Sequence, residues 1–145
     1  MGFHIFIIAW IAAILTMTGF SALITQLLKR ELREHLLLAQ LLHTYKGHSS
    51  GKPSVLIGWI VHFAFGLFFM ACYELLWMLT DVIRSLWWSI IFGMLIGLVG
   101  IMGWKVMFKI HPKPPELHFK TFYIQLFFAH IIFSVTAFLI YWFFK

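Results

Sequence analysis

Four apolar runs, each long enough to cross a lipid bilayer, leave few folds open to this chain. They extend from Phe3 to Leu28, Val55 to Leu79, Leu86 to Phe108 and Phe122 to Phe144. A hydrocarbon core about 30 Å thick calls for about 20 apolar residues in helix. Lipid offers the backbone no hydrogen bonds, so each run is expected to be a helix that satisfies its own amides. Composition agrees: 62% of the 145 residues are hydrophobic and only 11% are charged, against about 25% charged in soluble domains. The expectation is an all-α integral membrane four-helix bundle in a single transmembrane domain, residues 1–145, with no room for a separate soluble domain. The first run lacks a basic leader and exceeds an ordinary signal-peptide core, so it reads as a retained span.

The connections between the runs are unequal. Lys29 to Ser54 is long, and Leu32, Leu36, Ala39, Leu42 and Tyr45 recur in it at helical spacing. An amphipathic helix is expected over Lys29–Tyr45, ended by Gly47 and a turn at Ser49-Ser50-Gly51-Lys52-Pro53. Thr80 to Ser85 is a tight turn holding Asp81 and Arg84, and Lys109 to Lys120 is broken by His-Pro-Lys-Pro-Pro. Basic residues set the orientation. Lys29, Arg30, Arg33, Lys46, Lys52, Lys105, Lys109, Lys113 and Lys120 belong to one side, nine of eleven in all, and only Arg84 and Lys145 to the other. The positive-inside rule then puts both termini outside the cytoplasm of a bacterial inner membrane and both longer loops inside. That bias explains the net charge of +6 without a nucleic-acid partner. The lone Cys72 lies in an apolar run and permits no internal disulfide.

Two of the runs share a spacing. His62 is followed by Phe65, Gly66 and Tyr73, and His130 by Phe133, Ser134 and Tyr141. In each, a small residue follows the histidine by four and a tyrosine by eleven. The second and fourth runs point the same way, and each histidine is expected about 11 Å from the inner boundary. A tandem duplication of helical hairpins follows, with the two imidazoles facing one another in the bundle interior. Intramembrane histidines are costly and need a partner or a task. Three tasks suit this pair: structural hydrogen bonds to neighbouring helices, axial ligation of haem b, or a proton relay.

Glu74 lies three turns beyond His62 on nearly the same face. It is a candidate proton or ligand site with His4 and the tyrosines Tyr73 and Tyr141, or it pairs with Arg84. Gly93, Gly97 and Gly100 form a stripe suited to close helix packing, as do Gly66 and Ser134 beside the histidines. Tight contact within one chain and contact with a partner chain look alike in such a stripe. His35, His43, His48, His111 and His118 are scattered through the loops at no metal-binding spacing. The tryptophans cluster near helix ends, as an interface belt does. No nucleotide loop, HExxH or nucleophile elbow occurs. With five acids in all, no catalytic residue and no metal site is expected.

The segment Gly58-Trp59-Ile-Val-His62-Phe-Ala-Phe-Gly66, with His111-Pro112 and Ala129-His130, resembles small bacterial four-helix membrane proteins of unknown function, over roughly Gly58 to Phe144. The resemblance implies the bundle and no activity. The leading expectation is a non-enzymatic subunit or accessory factor without a cofactor, partnered by the bilayer and by itself or other membrane subunits. A haem-binding electron-transfer protein using His62 and His130, and a small oligomeric transporter, are the alternatives.

Overall fold

A computed structural model describes residues 2–45, 52–80 and 82–144. It contains five helices: α1 (Phe3–Leu28), α2 (Glu34–Tyr45), α3 (Val55–Leu79), α4 (Leu86–Ile110) and α5 (Phe119–Phe143). No strand occurs among the described residues. The four longer helices are long and apolar enough to cross a membrane, and α3, α4 and α5, at 25 residues each, are about 37 Å long. The all-helical bundle expected from the four runs is what forms.

The boundaries have local causes. Lys29 adopts a left-handed conformation (φ 51°) and its amide returns to the Thr25 carbonyl. The Thr25 hydroxyl accepts from the Leu32 amide at 3.1 Å. These bonds reverse the chain, so the helix expected over Lys29–Tyr45 begins only at Glu34, after an exposed Glu31–Arg33 ion pair at 2.6 Å. Ser54 and Ser85 cap α3 and α4 through Ile57 N and Trp88 N, the usual way of satisfying a first-turn amide. α4 runs two residues past its expected end at Phe108, and α5 starts three residues before Phe122. The expected Gly47 stop and the Ser49–Gly51 part of the turn, with Lys46, His48, Asp81 and Lys145, lie outside the described residues.

α5 is the central helix, packed along α4 on one side and α1 on the other. The glycine stripe makes the first contact possible. A side chain at Gly93 would strike the Ile131 backbone, at Gly97 it would meet Phe127, and at Gly100 the His130 ring. The stripe is therefore an interface within the chain. Against α1, Ala9, Ala13, Ala129 and Ala137 are fully buried, and Thr16 bonds Thr136 at 3.0 Å. α3 stands apart. It touches α1 sparsely and leans mainly on α2, with Gly66 seated over Ile14 and Trp10 Nε1 donating to the Phe63 carbonyl at 3.2 Å. α3 and α4 follow one another in sequence yet scarcely pack together.

Candidate functional site

α2 is a wedge rather than a surface helix. Leu32 in the preceding turn and Leu37, Leu38 and Leu41 are buried against Trp104, Phe108, Phe122 and Leu126. Close approach to α3 depends on Gly58, where any side chain would collide with the His35 carbonyl and Ala39. His111 pins the other end. Its Nδ1 accepts from the Lys113 amide at 3.1 Å, so Nε2 carries the proton and donates to the Leu41 carbonyl at 3.0 Å. Thr44 is also within 3.1 Å of that Nε2. His111 is thus a structural pin. His118 lies apart from it, bonding Thr121 at the start of α5. Among the described residues no three His, Cys, Asp or Glu side chains gather as metal ligands.

The wedge carries Glu34 into the bundle, where it is 1% exposed. Ser21, seven residues before the end of α1, and Gln125, six residues into α5, meet it there, about 10 Å from their helix ends. Glu34 Oε1 accepts from Ser21 Oγ at 2.8 Å and from Gln125 Nε2 at 3.0 Å. Glu34 Oε2 and Gln125 Oε1 are buried without partners. Burial pushes the Glu34 carboxyl above its usual range, and the bonds from Gln125, from its own backbone amide and from Ser21 offset only part of that. Beside it, His35 stacks on Trp59 with ring centroids 4.1 Å apart. Burial, with the nearby Arg33 charge, lowers its pKa.

Over Glu34 lies a cavity of about 610 Å³. Its walls come from α1 (Ile14, Met17), α3 (Val61 to Phe69), α4 (Val99 to Met107) and α5 (Leu126, His130, Phe133), and Glu34 and Leu38 of α2 contribute to its floor. Ala64, Phe65 and Phe68 on α3 and Val99 and Gly103 on α4 are exposed at its rim. The cavity therefore opens sideways, between α3 and α4. Its lining side chains with polar atoms are Glu34, His62, His130 and the Trp104 indole.

His62 and His130 are both buried and both line this cavity. Each is committed elsewhere. His62 Nε2 lies 3.1 Å from Thr18 Oγ1 on α1. His130 Nδ1 faces the Leu126 carbonyl at 2.8 Å, so Nδ1 bears the proton and Nε2 is left as a lone pair, resting against Gly100 without a hydrogen bond. Phe69 meets the His130 ring edge-on at 5.3 Å. The early start of α5 places His130 eleven residues into its helix against seven for His62. The imidazoles share a cavity but make no ring contact with each other. Tyr73 and Tyr141, each eleven residues after its histidine, stack at 6.3 Å with planes 9° apart.

Glu74 is paired with Arg84 at 3.1 Å, and Arg84 also lies 4.5 Å over the Tyr141 ring. Tyr73 bonds Ser89 at 3.0 Å. These residues tie the C-terminal ends of α3 and α5 to the N-terminal end of α4. His4 is exposed, its ring beside Gly2, so the structure does not bring it to Glu74. Sequence reasoning passed over Glu34, Ser21 and Gln125. The available signal was Ser21 and Gln125, polar groups inside bilayer-length apolar runs that need partners in lipid.

No protein-family model matches the chain, and neither curated proteins nor solved structures yield a match.

Proposed function

We propose that this chain is a small non-enzymatic accessory protein of a bacterial inner membrane, both termini outside the cytoplasm, that binds a lipophilic molecule entering sideways from the bilayer. The cavity between α3 and α4 carries the reading. Its walls are apolar, its rim faces the surface a bilayer would cover, and its volume of about 610 Å³ suits a small-molecule site, which typically spans about 300–1,000 Å³. Gly103 supports the test, because a side chain there meets nothing within 4 Å and grows into open space. Gly103→Phe should leave the fold intact and abolish binding of a decylbenzene probe followed by native mass spectrometry. Equal uptake by wild type and Gly103→Phe, or none by wild type, would remove the proposal.

A second reading, haem b, is favoured by His130. A ligating histidine commonly donates its other ring nitrogen to a carbonyl, as Nδ1 does to Leu126. Against it, no Lys or Arg among the described residues lines the cavity to neutralise propionates. A Soret band in the purified protein, lost in both His62→Ala and His130→Ala, would make this the correct reading.

A further inference from the structure

Resting on the cavity reading above, we infer that the ligand is a neutral lipophile whose head is a hydroxyl group, and that Nε2 of His130 anchors it by accepting a hydrogen bond from that hydroxyl.

The hydrogen-bonding state of His130 is set by its own helix. A carbonyl can only accept, so the 2.8 Å contact with Leu126 takes the Nδ1 proton, and the neutral ring is left with a bare lone pair at Nε2. That atom has no partner, yet it is not sealed in the way that Glu34 Oε2 and Ser134 Oγ are. It borders the cavity. Gly100 lines the same wall, and a methyl group built there would meet this ring first, with Nε2 at 3.0 Å. His62 carries the complementary group. The Thr18 hydroxyl has His62 Nε2 as its one partner. A hydroxyl has a single proton to place, so Thr18 donates it there and the ring proton of His62 sits on Nδ1. That Nδ1 is likewise unbonded and unsealed, as is the Trp104 indole N–H. The cavity thus shows a lipophile one open acceptor and two open donors. A carbonyl or ether oxygen serves only the donors and leaves Nε2 an unmet acceptor, which costs free energy. A hydroxyl serves either kind. Charged heads fit poorly. No Lys or Arg among the described residues lines the cavity for an anion. For a cation, Glu34 Oε2 is sealed and Oε1 already holds Ser21 and Gln125.

The test varies the head of one probe. The affinity of the purified full chain in detergent is measured at neutral pH, by native mass spectrometry, for para-decylphenol, para-decylanisole and decylbenzene. The phenol head donates and accepts, the anisole head only accepts, and decylbenzene has neither function. Wild type should bind the phenol about tenfold more tightly than the anisole, the worth of one hydrogen bond. His130→Phe keeps an aromatic ring beside Phe69 and removes Nε2, and it should level the phenol with the anisole. If His130→Phe fails to fold, nitrogen NMR of the wild-type histidine rings decides. The Nε2 resonance of an Nδ1-protonated histidine should then move on addition of the phenol and stay in place with the anisole. Absence of any histidine nitrogen that responds to the phenol alone would overturn the anchor. Equal binding of phenol and anisole, both tighter than decylbenzene, would overturn it too and assign the head to the His62 or Trp104 donor. So would a phenol preference that survives in folded His130→Phe. Equal binding of all three probes, blocked in each case by Gly103→Phe, would remove the anchor and leave the cavity standing. Failure of every probe to bind would instead strike at the cavity reading.

Discussion

Gly97 and Gly19 are both glycines in the middle of apolar helices, and the structure gives them opposite significance. A side chain at Gly97 would press on the Phe127 backbone and ring at 3.2 Å, whereas one at Gly19 meets nothing within 4 Å. Gly97→Leu should cost about 1–3 kcal/mol, the usual toll of overpacking, read as a lowered melting temperature in detergent. Gly19→Ala should cost nothing. Equal effects would mean that α4 and α5 do not pack through the stripe. Spacing alone identified the stripe as a packing surface, because residues three and four apart share a helix face. It could not say which helix would fill that face. The same limit applied to the histidines. Their burial followed from the cost of a polar group in lipid, but the partners, Thr18 for His62 and Leu126 for His130, depended on how neighbouring helices are rotated.

At the scale of elements, the four long helices were legible because length and apolarity suffice to specify a span. α2 was legible as a helix and misleading as a surface. Its first residues carry a carboxylate and a histidine, in a segment rich in basic residues, which reads as solvated. Its burial depends on Ser21 and Gln125, one before it and one far beyond it in the chain, meeting at one point. That burial has a pH signature. Burial raises the folded-state pKa of Glu34 above the 4.5 of a free carboxyl, so the folded chain holds this proton where the unfolded chain has released it. The contribution of Glu34 to stability is complete below that value. It is lost as pH climbs toward the folded-state pKa, and is flat beyond. His35, lowered from 6.5, acts the other way, costing stability as pH falls from that value. Thermal unfolding across pH should therefore show a decline that begins as pH rises through 4.5 and that Glu34→Gln abolishes. A decline unchanged in Glu34→Gln would mean that another group causes it.

For the whole molecule, the first quantity to settle is which way round it sits. The nine-to-two distribution of basic residues predicts that the α2 end lies on the cytoplasmic side. In a Cys72→Ala background, a cysteine at Lys113 should resist an impermeant thiol reagent added to intact cells, while one at Ile83, exposed in the opposite turn, should react. Rapid labelling at Lys113 from outside would reverse the assignment. Whichever way it faces, the bundle has an unusual order of dependence. α1 finds its main partner in α5, and the contact between Thr16 and Thr136 closes a loop of 120 residues, while α3, next in line to cross the bilayer, offers α1 little to hold. Ribosomal synthesis therefore delivers the first span long before its neighbour exists. Until α5 is inserted, the face bearing Ala9 and Ala13 lacks its partner, and Ser21 and Glu34 lack Gln125. A product stopped before α5 therefore keeps the contact between α2 and α3 but lacks the helix along which both α1 and α4 pack.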